Sequence, residues 1–264
     1  MRDDSVADFY DRLAADYHLI FADWDATMTR QGEVLDAVIR GRLGEGAASV
    51  LDCSCGIGTQ AIGLALRGHR VTGTDLSSAA VGRAAREAAL RGARLPAATA
   101  DMRRLPFADA VFDVVVCADN SLPHLLTEED VRAALAEMRR VLRDGGLLVV
   151  STRPYDELLR ARPASTPPQV GPTSGGRAVT FQLWHWHDDG ERYDLEHFQL
   201  VAQEQDWRVA VRRTTYWALT QRQLTEFAAG AGFTEIAWEL PEASGFYQPL
   251  LTARVPRPAP AVDH

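Results

Sequence analysis

The pattern of hydrophobic and polar positions changes twice along the chain. From residue 6 to 45 apolar residues recur at helical spacing, first through VADFYDRLAADYHLIF and then through QGEVLDAVIRGRL, and Gly44 and Gly46 end the segment. From 49 to 153 short apolar runs alternate with amphipathic stretches. SVLDC (49–53), RVTGTD (70–75), a short run near 96–100, a segment at 111–117 and LLVVSTR (147–153) read as strands. TQAIGLALRG, SSAAVGRAAREAALRG and TEEDVRAALAEMRRVLRDGG read as helices, the second opened by a Ser cap, the third by a Thr cap and an acidic first turn. Strands and helices alternating over short loops predict a parallel, doubly wound sheet with helices on both faces.

Beyond Pro154 the pattern changes again. Residues 161–177 are rich in Pro, Gly, Ser and Thr and read as a loop. AVTFQLWHW, RYDLEHFQLVA and DWRVAVRRTTYWAL then alternate as antiparallel strands, with DDG as a hairpin turn. A helix at 221–231 and two strands, AWEL and YQPLLTARV, follow. The expected organisation is an N-terminal helical lid (1–45), an α/β core (46–153), an antiparallel cap insertion (154–218), a closing helix with the last two core strands (219–256) and a disordered tail (257–264).

Composition narrows the function classes. The chain has 264 residues, 46% hydrophobic and 24% charged, enough for a full core. Its net charge of −8 argues against a nucleic-acid partner, because phosphate binding needs a basic face. No apolar run reaches the roughly 20 residues that span a bilayer, and the acidic N-terminus lacks a signal core, so a cytoplasmic protein is expected. Three cysteines suit a reducing compartment, and Cys53-Ser54-Cys55 lacks the further ligands of a metal site.

Four stations lie at the carboxyl ends of the expected strands, where open α/β sheets bind ligands. The first is LDCSCGIGTQ, with Asp52, Ser54, Gly56 and Gly58. It is a strand, a glycine turn and a helix N-terminus, which admits a ligand to the backbone but also suits a tight structural turn. The second is Asp75, followed by Leu76. It lies 19 residues past Gly56, near the spacing at which an acid takes the ribose hydroxyls of an adenosine; the plainer reading is a helix cap. The third is Asp101-Met102, an acceptor for an adenine amino group beside a packing side chain. The fourth is the loop Ala118-Asp119-Asn120-Ser121-Leu122-Pro123-His124-Leu125, in which His124 alone reads first as structural.

In order and spacing these stations resemble class I S-adenosylmethionine (SAM)-dependent methyltransferases over residues 49–153. The resemblance implies SAM as cofactor and a seven-stranded Rossmann-like sheet with an antiparallel last strand. A closer resemblance, to the glycine N-methyltransferase family and its bacterial glycine/sarcosine N-methyltransferase relatives, rests on Tyr10 with YHLIFADW and Arg30, NSLPHL at 120–125, STRPYD at 151–156 and SGFYQP at 244–249. It implies that Asn120 and Ser121 lie beside the donor methyl with His124 nearby. It further implies that Arg153 grips a substrate carboxylate with Tyr155 beside it, and that Tyr247 belongs to the site. Tyr10, Tyr17, Trp24 and Arg30 would close over the cofactor. Pro154 stands where mammalian members carry Asn, and the cap is dissimilar.

The expected function is methyl transfer to the amine of a small carboxylate-bearing substrate such as glycine, sarcosine or dimethylglycine. The alternatives are a tailoring N- or O-methyltransferase of a specialised metabolite and a non-catalytic SAM-binding module. Arg153 also suits a strand cap or a pair with Asp156. Trp184, Trp186 and Trp217 suit either a cap core or an aromatic wall for a methylated ammonium, and Arg139, Arg140 and Arg143 a solvated face. Some branches of the family form oligomers, which leaves a homo-oligomer open.

Overall fold

The structure, a computed structural model, describes residues 4–173, 176–204 and 206–257. The tail expected to be disordered lies outside these residues from position 258 onward.

The doubly wound sheet is built from β1 (Ser49–Asp52), β2 (Arg70–Asp75), β3 (Ala97–Thr99), β4 (Phe112–Cys117) and β5 (Leu142–Ser151), closed by β10 (Thr234–Glu239) and β11 (Leu250–Arg254). Its order is β10-β11-β5-β4-β1-β2-β3, with β11 antiparallel to both β5 and β10. The central strands are buried on both faces, which explains their continuous apolar runs. Val50 and Leu51 show the alternation of β1 directly, on opposite sides of the sheet; beyond the end of the strand the turn departs from that period, and Cys53 joins one core and Cys55 the other. Both thiols are free and buried, so they fill space between layers.

The helices carry the signals read from the sequence. α4 (Ser78–Leu90) opens on Ser77, whose side chain accepts from the Ala80 N–H, and α5 (Glu128–Val141) opens on Thr127 in the same way. α5 ends at Val141, and Gly145, at φ +72°, turns the chain inside β5 instead of stopping the helix. Arg140 does not lie free on a solvated face: it reaches Glu137, Asp109 and the carbonyls of Leu105 and Phe107, clamping α5 to the loop before β4.

The N-terminal region is not one continuous helical stretch. It divides into α1 (Asp4–Leu13), a 3-10 turn at Tyr17–Ile20 and α2 (Trp24–Leu43), whose N-cap Asp23 accepts from the Ala26 N–H. α2 crosses α3 (Thr59–Ala65) at Gly32 and Gly63, and a Cβ on either would meet the other glycine's backbone within 3.0 Å. α1 bridges the two parts of the molecule. Asp11 accepts from Ser77 Oγ and the Ala79 N–H at the start of α4, and the Arg12 carbonyl accepts from Arg212 on the cap.

That cap is a second, antiparallel sheet of β6 (Gln169–Thr173), β7 (Gly176–Trp186), β8 (Arg192–Gln203) and β9 (Asp206–Trp217). β7 and β8 turn through His187–Glu191, where Gly190 takes φ +72°, at the expected DDG hairpin. The segment 161–177, expected to be a loop, contains β6. Three helices join the elements: α6 (Tyr155–Ala161), α7 (Gln221–Gly230) and a short α8 (Pro241–Ser244). One face of the cap sheet, with Trp184, Tyr193, Leu195 and Tyr216, packs on Tyr155.

Candidate active site

The glycine turn after β1 forms a trough with Asp75. Gly58 is left-handed at φ +97°, and a Cβ there would meet the Ile62 side chain at 2.7 Å, so the turn into α3 requires glycine. Asp75 accepts from the N–H of Gly56 at 2.8 Å and of Ser77 at 2.9 Å. The helix cap itself is Ser77, so Asp75 is tied to the glycine turn and keeps lone pairs to spare. Ser54, Gly56, Asp75, Asp119 and Ser121 line the trough together with Tyr10 and Tyr17. Leu76 follows Asp75 and is half-buried, and buried Ala118 presents its carbonyl to Ser121 Oγ at 2.9 Å.

Asp52 lies beneath. One oxygen accepts from the Ser54 N–H at 3.3 Å; the other is buried and has no partner among the described residues. Burial pushes its carboxyl up to about 7, and burial also raises Asp75 and Asp119. Three crowded carboxyls with raised pKa values favour a cationic ligand, which would return them toward the charged form. SAM carries a sulfonium and an ammonium. The unpaired Asp52 oxygen, the open turn at Gly56 and the lone pairs of Asp75 therefore fit it.

The loop after β4 is held in an uncommon backbone state. Asp119 and Asn120 are consecutive left-handed residues, at φ +58° and +63°. Ser151 on β5 fixes both: its Oγ accepts from the Asp119 N–H at 2.8 Å and its carbonyl from the Asn120 N–H at 3.1 Å. Gln248 in turn accepts from Ser151 Oγ at 2.9 Å. The Asn120 side-chain oxygen accepts from the Arg153 N–H, while its buried Nδ2 has no partner among the described residues.

Arg153 leaves the end of β5 toward the cap. Its guanidinium donates to the Tyr193 hydroxyl at 2.8 Å and to Gln182 at 3.3 Å, and lies over the rings of Trp184 at 4.8 Å and Tyr216 at 5.1 Å. It makes no ion pair with Asp156, which instead accepts from the Gln221 N–H. A cavity of about 670 Å³ opens beside it, lined among others by Arg30, Asp119, Gln182, Trp184, Phe181 and Tyr247.

Several site residues fall elsewhere than the resemblance implies. Trp24 does not close over the trough: it is buried between helices, donates to Thr59 Oγ1 at 2.8 Å and carries Arg91 on its ring face. Arg30 lines the large cavity instead of the trough. Asp101 holds Arg103 with both oxygens, and Met102 packs against the main core. Tyr155 is buried behind Tyr193, hydroxyl to hydroxyl at 3.1 Å, so it supports the Arg153 partner without reaching the cavity. His124 is likewise buried, its Nε2 on the Tyr10 hydroxyl at 2.7 Å and its ring 4.1 Å from that of Tyr216. Tyr247 and Tyr17 both donate to Asp119. Trp184 takes the cap-core role, packing on Tyr193, and carries Arg153 on its ring where a methylated ammonium was the other expectation, whereas Trp217 is simply core.

Asp119 stands in the loop quoted from the sequence but has no role there. Its signal was an acid directly after a central strand. Gln182, Tyr193 and Tyr216 come from cap strands, where no local motif marks them, and Gln248 stands inside the quoted SGFYQP without a role there.

Among the described residues no group of three or more His, Cys, Asp or Glu side chains could hold a metal, and no helix is long and apolar enough to cross a membrane. Residues 50–146 match a family described as a methyltransferase domain. The chain is 38% identical over 155 residues to a glycine/sarcosine N-methyltransferase of Parasynechococcus marenigrum (strain WH8102), covering 58% of this chain and 52% of that protein. It thus spans about half the length of that relative. It is also 30% identical over 207 residues to a putative methyltransferase of Geobacillus sp. (strain WCH70), covering 73% of this chain and 80% of that one. In fold it is similar to CalS10, an amino pentose methyltransferase from Micromonospora echinaspora, with a TM-score of 0.71 at 23% identity over 91% of this chain and 95% of that one. Aligned with another methyltransferase along most of both chains, and matched around its glycine turn to a methyltransferase domain, the chain belongs to the SAM-dependent methyltransferase family.

Proposed function

We propose that this chain transfers a methyl group from SAM to the amine of a small carboxylate-bearing substrate, with glycine, sarcosine and dimethylglycine as the first candidates. The observation that carries the reading is Arg153. Its guanidinium is held by Tyr193 and Gln182 between two aromatic rings, faces a cavity, and has no carboxylate in ion-pair contact among the described residues. A planar, always-charged fork in that setting matches a substrate carboxylate. The similarity to a glycine/sarcosine N-methyltransferase over 58% of this chain agrees with it.

SAM, when bound, supplies an electrophilic methyl on a sulfonium. The chain's contribution is placement. Asp75 would take the ribose hydroxyls, and the free oxygen of Asp52 a cationic group of the donor. Arg153 would fix the acceptor carboxylate, so that the amine lone pair meets the methyl in line with the breaking carbon–sulfur bond. The bonding pair would go to sulfur; the ammonium formed from a primary or secondary amine would then lose a proton to solvent or to a nearby carboxylate, whereas the quaternary product of dimethylglycine has none to lose. The acceptor must be neutral to attack, and the sulfonium disfavours a protonated amine at that point. His124 is unsuited to proton transfer from the acceptor, because it is buried and bonded to Tyr10.

One observation favours the second reading, a tailoring enzyme for a specialised metabolite: a cavity of about 670 Å³ is in the range that holds drug-sized ligands. Incubation with SAM and each candidate amine, with S-adenosylhomocysteine followed by mass spectrometry, tests the two. Product with a carboxylate-bearing amine supports the first reading; product only with acceptors lacking a carboxylate supports the second.

A further inference from the structure

Asp119 combines features that its backbone role does not require. The left-handed conformation at this position would cost a glycine little, whereas an aspartate pays strain for it. Its carboxylate lines the large cavity, the trough, and the narrow space between them. Tyr17 donates to one oxygen and Tyr247 to the other. A carboxylate has about four lone-pair sites, so acceptor capacity remains on the side that faces the cavity. Arg153 lines the same cavity and is close enough to favour the charged form of Asp119, yet the two make no ion pair. Opposite charges therefore stand side by side where trough and cavity meet, each without an ionic partner among the described residues.

We infer that Asp119 and Arg153 form a recognition pair for an amino acid that arrives as the zwitterion, with Asp119 taking the amino group and Arg153 the carboxylate; one ammonium proton passes to Asp119 or to solvent before the lone pair can attack. The arrangement puts the amine on the trough side, where the methyl donor would lie. The rest of the acceptor would occupy the remaining cavity, whose lining sets the apolar Ile20, Phe21, Val170 and Phe181 beside the polar Thr27, Arg30 and Gln169. Glycine would leave those apolar side chains uncovered. The acceptor class is accordingly an α-amino acid with a bulky apolar side chain. This inference rests on the carboxylate role of Arg153 proposed above.

The test is calorimetric titration of the protein saturated with S-adenosylhomocysteine, using L-phenylalanine, 3-phenylpropanoate, phenethylamine and glycine as probes. L-Phenylalanine should bind about tenfold or more tighter than each of the others, the effect of one charge-assisted contact or of the buried ring. Asp119→Asn, titrated at a concentration of S-adenosylhomocysteine that keeps the variant saturated, should erase the advantage of L-phenylalanine over 3-phenylpropanoate. Asp119→Gly removes the carboxylate and the backbone strain together, so it keeps the test open if the Asn variant folds poorly. Equal binding of L-phenylalanine and 3-phenylpropanoate, an unchanged ratio in both variants, or no binding of L-phenylalanine overturns the inference. If 3-phenylpropanoate still outbinds phenethylamine and Arg153→Gln abolishes that preference, the carboxylate reading survives alone. If phenethylamine binds as well as L-phenylalanine in wild type and in Arg153→Gln, both fall.

Discussion

The Asn120 side-chain oxygen accepts a hydrogen bond from the Arg153 backbone N–H at 3.0 Å, joining the loop after β4 to the end of β5. The residue that the family resemblance sets beside the donor methyl thereby fixes the starting point of the residue proposed to hold the acceptor. Asn120→Ala removes this bond and empties a buried polar position. Stability should fall by about 1–3 kcal/mol in urea unfolding. Turnover should fall by about 100-fold, the effect of displacing a positioned reactant by an ångström. An unchanged rate in a correctly folded variant would separate the two loops functionally.

Arg153→Lys should fail to restore what Arg153→Ala loses. The guanidinium lies over the rings of Trp184 and Tyr216 and uses separate nitrogens for Tyr193 and Gln182, and an ammonium reproduces neither feature. The apparent KM for the acceptor should rise by about 10- to 100-fold in both variants, with SAM affinity nearly constant. Steady-state kinetics with each substrate varied checks this. Recovery in the lysine variant would mean that Arg153 acts as a point charge only.

Asp75→Ala should weaken SAM binding by about 10- to 100-fold in calorimetry, the loss of charge-assisted bonds to the ribose. It also frees the N–H groups of Gly56 and Ser77, which now meet on this carboxylate. Asp75→Asn keeps one acceptor oxygen and should lie between. An Asp75→Ala variant that binds SAM normally would remove the glycine turn and its acid from the cofactor site.

His124 gives a pH signature. Burial, helped by the charge of Arg153, lowers its pKa to about 3. The folded value is depressed, so the unfolded chain binds protons first. The stability tied to a neutral His124 is complete above about 6.5 and is lost as pH falls toward 3. His197, lowered to about 4 by burial, acts with the same sign. Asp52, raised to about 7, acts oppositely: its contribution is complete below about 3.8 and is lost as pH rises to 7. His124→Asn should therefore flatten the decline of unfolding free energy between pH 6.5 and 4. A slope equal to that of wild type would mean that His124 titrates normally in the folded state.

The crossing of α2 and α3 is a packing limit. Gly32→Ala or Gly63→Ala forces a methyl group against backbone at under 3.0 Å, so the helices must separate. Either change should cost about 1–3 kcal/mol by chemical denaturation. A neutral effect would mean that these helices shift freely.

The sheet was legible because each of its strands is a short run bounded by a turn, and because strand ends mark where an α/β sheet binds ligands. Asp75, Ser54 and the Asn120 loop are read that way, and the structure brings Ser54, Asp75 and Ser121 to one trough. Trp24 was misplaced because Asp23 caps a new helix: the break at 21–23 rotates α2 and sends the indole into the α2–α3–α4 packing. Tyr155 and His124 sit one side chain behind the surface they were expected to form, a depth that a motif does not encode. Tyr193, Gln182 and Tyr216 converge on Arg153 only because β7, β8 and β9 pair in register: Tyr193 lies opposite both Trp186 and Tyr216. That register is a property of the assembled cap, and no short stretch of sequence carries it.

The most direct test is S-adenosylhomocysteine formation from SAM with glycine, sarcosine, dimethylglycine and L-phenylalanine, in wild type and Arg153→Ala. The account predicts product with at least one of these carboxylate-bearing amines, reduced by about 100-fold or more in the variant. Turnover that is indifferent to Arg153→Ala, or confined to acceptors without a carboxylate, would contradict it.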